Sequence, residues 1–119
     1  MEDNTHLSHS EKEDTLKKIV NINNFQILSD IFKQLGDSNR LRIFWLLCHC
    51  EENVINISNI VNMSSPAVSH HLKQLKASKL IRSRRSGKEM FYSATRNAES
   101  QLLHKMIEEL MEISCPEWY

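Results

Sequence analysis

From Thr15 to Leu35 the apolar residues Leu16, Ile19, Val20, Phe25, Leu28, Ile31, Phe32 and Leu35 recur at mostly helical spacing. A break near Asn21 to Asn24 leaves open one helix or two short ones, and Gly36 supplies a stop. Asp37 or Ser38 can cap the next segment, where Leu41, Ile43, Phe44, Leu46 and Leu47 predict a largely buried helix ending near Cys48 to Cys50. After Glu51-Glu52-Asn53, Val54 and Ile55 lead into a short apolar helix (ISNIV), a Met63-Ser64-Ser65-Pro66 break and a helix carrying SHHLKQLK. Ser64 or Ser65 can cap that helix, and Pro66 suits its first turn, where a missing N–H costs little. The period then drops to two. Leu80 and Ile81 anchor a strand, Ser86-Gly87-Lys88 make a tip, and Met90 and Tyr92 alternate with Phe91 on the return. Leu102, Leu103, Met106, Ile107, Leu110, Met111 and Ile113 close the pattern as an amphipathic helix.

The predicted order is α-α-α-α-β-β-α, a mostly α (α+β) fold of winged helix-turn-helix type. Residues 1–14 are polar and aperiodic and predict a flexible arm, leaving 15–119 as one DNA-binding and dimerisation domain. A second domain of ordinary size does not fit in 119 residues, and two glycines argue against a many-turned β sandwich.

In the SHHLKQLK helix, about 100° per residue places Val68, Leu72 and Leu75 in one narrow inward sector. His71 falls at its edge and reads most simply as a half-buried histidine bonded within the domain. Ser64, Ser65, Ala67 and Ser69 are small enough for close approach to base edges, Gln74 or His70 can hydrogen-bond bases, and Lys73 can reach phosphate or guanine. Arg84, Arg85 and Lys88 on the wing can grip the backbone or minor groove of double-stranded DNA.

Net charge changes that picture little until it is resolved along the chain. The total is zero, yet Lys73 to Lys88 holds seven basic residues and no acid, against five acids and one lysine in the first fourteen residues. A solvated charged face is the plain alternative, but here the charge coincides with a helix-turn-helix and a wing. No apolar run approaches the roughly 20 residues of a membrane span, and the acidic start lacks a signal peptide's regions, so a cytoplasmic protein without a membrane partner is expected.

On the last helix, Leu102, Leu103, Met106, Ile107 and Leu110 form a surface broader than a small domain needs, which predicts a homodimer interface unless that face only completes the core. Three cysteines do not make a paired disulfide scaffold. Cys48-His49-Cys50 with Cys115 offers a thiolate site for a soft metal or metalloid ion such as arsenite, cadmium, lead or zinc, with His49 assisting. Oxidation of two thiols is an alternative; so is plain packing, with Cys48 a buried hydrophobe and Cys115 a tail thiol.

The runs DSNRLRIFWLL, SSPAVSHHLKQLKASKLI and RRSGKEMFYSA resemble the ArsR/SmtB family of bacterial winged-helix repressors over about residues 25 to 115. The resemblance implies a homodimer, built through its N- and C-terminal helices, on an imperfect inverted repeat and released by a metal ion or a thiol-reactive species. Two sensor patterns of the family are missing. Its zinc pairs on the last helix align with Arg96, Ala98, Glu109 and Glu112, and its Cys-x-Cys pattern before the recognition helix aligns with Asn53 and Ile55. In similar thiol-sensing members, one cysteine on each of two helices forms a bridge. An enzyme is not expected, since the chain has no Gly-rich cradle, no triad spacing and little length left for a pocket. A winged helix that binds protein instead of DNA is the remaining class.

Overall fold

A computed structural model describes residues 8–115, 117 and 118. In chain order the elements are α1 (His9–Ile19), α2 (Ile22–Gln34), α3 (Ser38–His49), β1 (Glu52–Asn53), α4 (Val54–Val61), α5 (Ser65–Ala77), β2 (Ile81–Ser86), β3 (Glu89–Ala94) and α6 (Ala98–Ser114). The chain divides at Lys33 and Gln34 into two units.

In the first unit, α1 begins six residues before the expected Thr15. The Ser8 side chain accepts from the Glu11 amide at 3.2 Å while Glu11 Oε2 accepts from the Ser8 amide at 2.9 Å, a capping box that starts a helix in otherwise polar sequence. Residues 9–14, expected in a flexible arm, are thus helical, and residues 1–7 lie outside the described residues. The break expected near Asn21 separates α1 from α2, so five helices rather than four precede the wing. Leu16, Ile19, Ile22, Phe25 and Phe32 are all exposed.

The second unit holds the core. Ile43, Phe44 and Leu47 of α3, Ile57 and Val61 of α4, Val68, Leu72 and Leu75 of α5, Leu80, Ile81, and Leu103 and Ile107 of α6 are buried together. Each such side chain contributes on the order of 1.5–3 kcal/mol. Asp37 caps α3, accepting from the Asn39 and Arg40 amides, and Asn53 and Ser64 cap α4 and α5. Asn62 ends α4 in the left-handed conformation (φ 56°), a region asparagine tolerates better than most residues, and so turns the chain toward α5.

The sheet has the order β1-β3-β2, antiparallel throughout, and β1 is a short third strand the period of two did not announce. Ser86 pairs with Glu89, so Gly87 (φ +63°) and Lys88 make a two-residue hairpin turn that needs the positive φ glycine gives at its first position. Buried Ser100 donates to the Leu80 carbonyl at 3.0 Å and meets Thr95 Oγ1 at 2.6 Å, tying the start of α6 to the link between α5 and the wing. Leu103 and Ile107, expected at a dimer interface, turn into the chain's own core, whereas Leu102 and Leu110 remain exposed and Met106 is half-buried.

Candidate nucleic-acid interface and sensor site

α5 is oriented by its own sequence. Val68, Leu72 and Leu75 bind it to the core, and the opposite side presents Ser64, Ser65, Ser69, His70 and Lys73 to solvent, with Ala67 and Gln74 half-buried beside them. Gln74 is not a free side chain here. Its Oε1 accepts from the Arg40 guanidinium, and its Nε2 hydrogen-bonds the His70 ring at 3.1 Å. Arg40 Nη1 also lies 3.5 Å from His71 Nδ1, so a residue at the start of α3 holds two side chains of α5. His71 is half-buried and bonded within the domain. Burial pushes its imidazole below the usual 6.5, against the raising effect of Asp37 at 4.0 Å.

The wing sorts its cations by strand alternation. Lys76 of α5 donates to Ser83 Oγ at 2.7 Å, so the face of β2 that carries Ser83 and Arg85 is the one beside the recognition helix. Arg85 and Lys88 are exposed. Arg84 lies on the other face, where its Nε and Nη2 reach Glu51 at 2.9 and 2.7 Å and its guanidinium sits 5.3 Å from the Phe91 ring centroid. That pairing lowers the Glu51 carboxyl and raises the arginine. Arg84 and Arg85, expected in one grip, thus stand on opposite faces of β2.

The expected sensor residues divide. Trp45 Nε1 donates to Glu108 Oε2 at 2.6 Å, and His49 Nε2 lies 3.2 Å from His104 Nε2, so α3 and α6 run in opposite senses. Cys48, His49 and Cys50 therefore face the first half of α6 and line a cavity of about 410 Å³ with His104, Gln101, Arg82 and Arg96. Cys115 ends α6, eleven residues past His104, or about 16 Å along the axis. Within one chain the three thiols do not converge, and a three-thiolate site is not formed. Burial, aided by the charge of Glu108, pushes the Cys48 thiol up to about 12, and burial also raises Cys50.

Among the described residues one group has the chemistry of a metal site: His49, His104 and Glu108, whose ligand atoms lie within 4.8 Å of one another. Sequence reasoning found His49 and missed the other two. The available signal was His104 and Glu108 four residues apart, hence on one helix face, but a lone pair at that spacing is common on solvated helices.

Residues 37–83 match the profile of the bacterial regulatory protein arsR family. The cadmium resistance transcriptional regulatory protein CadC of Listeria innocua is 37% identical over 86 residues, covering 71% of each chain. The arsenical resistance operon repressor of Staphylococcus aureus is 31% identical over 74% of this chain and 77% of its own. This chain belongs to the ArsR family. The fold agrees with that of the homodimeric winged helix-turn-helix DNA-binding domain of a possible ArsR-family regulator from Mycobacterium bovis, with TM-score 0.68 at 23% identity over 76% of this chain and 83% of that one. As an ArsR-family protein it is a DNA-binding transcriptional regulator, with α5 the recognition helix and β2–β3 the wing. No described helix is long and apolar enough to cross a membrane.

Proposed function

We propose that the protein represses transcription as a homodimer on an inverted-repeat operator and releases it when a metal ion binds. The observation that carries this reading is α5, which buries Val68, Leu72 and Leu75 while presenting Ser65, Ser69, His70 and Lys73 outward, beside a wing face bearing Arg85. Serine, histidine and lysine at those positions read base edges and phosphate in the major groove, and Arg85 and Lys88 hold the flanking backbone. Leu102, Leu110 and Ile113 lie exposed along α6, and a second copy gives that apolar surface its cover. Two recognition helices related by the dimer axis then enter half-sites about one helical turn apart.

Support for a metal inducer comes from the relatives named for cadmium and arsenical resistance and from the His49, His104 and Glu108 group. A thiol-redox switch is disfavoured by the separation of Cys115 from Cys48 and Cys50 and by the raised thiols of the latter pair. The test is fluorescence anisotropy of the gene's own upstream duplex against salt, with and without added metal. A steep salt dependence with metal-driven release is expected. No preference over random duplex would reject sequence-specific repression and favour a protein-binding module.

A further inference from the structure

We propose that His49, His104 and Glu108 are the inducer site, that it takes a divalent ion of the zinc, cobalt or nickel class, and that α3 carries its occupancy to the recognition helix. This rests on the metal-responsive reading above and assigns the site of that response. It lies apart from the positions where the family resemblance places zinc pairs, which here carry Arg96, Ala98, Glu109 and Glu112.

The geometry is that of a ligand set. Two imidazole nitrogens each about 2.0–2.1 Å from one tetrahedral ion stand about 3.3 Å apart. His49 Nε2 and His104 Nε2 are 3.2 Å apart, their rings edge to face with centroids at 4.8 Å. Glu108 lies one turn beyond His104 on the same face of α6, and a carboxylate oxygen lies within 4.8 Å of both histidine nitrogens. Neighbouring groups hold the set in place. Trp45 donates its indole N–H to Glu108 and packs its ring against His49 at 4.3 Å between centroids. Such outer partners orient metal ligands. His49 and His104 also line the cavity that Cys48, Cys50 and Gln101 border. Two imidazoles and a carboxylate suit zinc-like ions, whereas arsenite requires a thiolate set that one chain does not assemble.

The connection to DNA is a single helix. His49 ends α3; Arg40 lies nine residues earlier, about 13 Å along the axis, and holds Gln74 and His71 of α5. An ion shared by His49 and His104 ties one end of α3 to α6, and the other end of α3 grips the side chains that set the outward face of α5. An ion shifts operator binding only by its differential affinity for the free and DNA-bound arrangements, usually 5- to 150-fold.

The test uses the reduced full chain. Co²⁺ is titrated and followed by its absorption bands, and anisotropy of operator duplex is read with and without Zn²⁺, Co²⁺ and Ni²⁺. His49→Gln, an exposed substitution, and His104→Gln are each expected to weaken Co²⁺ binding at least tenfold and to abolish metal release, with metal-free operator affinity retained. A Cys48→Ser/Cys50→Ser variant is expected to keep both responses. If wild type releases DNA on metal and both histidine variants do so equally, the site assignment is overturned while the metal-responsive reading stands. If wild type binds Co²⁺ through these histidines and no metal changes operator affinity, the regulatory claim is overturned together with that reading.

Discussion

Within one chain, α5 and α6 use their apolar residues differently. Val68, Leu72 and Leu75 of α5 are at most 1% exposed, whereas Leu102, Leu110 and Ile113 of α6 are 58%, 55% and 77% exposed, although Leu103 and Ile107 on the same helix are buried. The recognition helix is fixed by the chain's own core, while α6 completes that core on one side and leaves its other side for something else. The helix that reads DNA is therefore positioned by the chain itself, and under the proposed dimer a second copy would add a second reader. α2, in its own unit, leaves Ile22, Phe25 and Phe32 exposed in the same way.

The sharpest way to break this comparison is to remove matched apolar groups from the two sides. Leu72→Ala on α5, at a site 1% exposed, is expected to cost about 2–5 kcal/mol, read by urea denaturation. Leu110→Ala is expected to change the unfolding of the isolated chain by less than about 0.5 kcal/mol while weakening association. Equal losses would mean that the outer side of α6 is core.

On the DNA side, His70→Ala is expected to lose about 1–3 kcal/mol on the operator and little on random duplex, as for a base reader. Lys73→Ala and Arg85→Ala are each expected to weaken all sequences alike and to lower the salt slope by about one unit. Arg84→Ala is expected to leave the slope unchanged, because Glu51 already holds that charge. A slope change at Arg84 as large as at Arg85 would put both on the DNA face.

The smallest expected effect is a pH dependence. His71 is held below its usual 6.5 chiefly by burial, so the unfolded chain takes up the proton first. Stability is then full above about pH 6.5 and declines as pH falls below it. His71→Gln is expected to flatten part of that decline in denaturation series across the acid range.

The core and the reading face were legible because helical periodicity assigns directions: Val68, Leu72 and Leu75 repeat at spacing that admits one inward sector. The wing was legible as far as its strands and its Gly87 turn. Arg84 and Arg85 were read as one grip because charge was counted along the chain, while alternation sends them to opposite faces and Glu51 reaches Arg84 from a distant loop. Leu103 and Ile107 could not be separated from Leu102 and Leu110 by hydrophobicity alone, since which apolar stripe meets the core depends on the angle at which α6 packs. His104 and Glu108 gain meaning only from His49 and Trp45, which no local spacing connects to them. Cys115 and Cys50 looked like partners as two helix ends, and the opposed directions of α3 and α6 send them to opposite ends of the pair.

The most direct single measurement is the number of chains carried by a labelled full operator in sedimentation velocity, for wild type and Leu110→Glu side by side. Wild type is expected to load two chains in one cooperative step, and Leu110→Glu to bind with the weak affinity of a single half-site. A single wild-type chain holding the full operator tightly, or a Leu110→Glu protein that still loads two chains at wild-type affinity, would contradict the assignment of α6's outer face to a second copy.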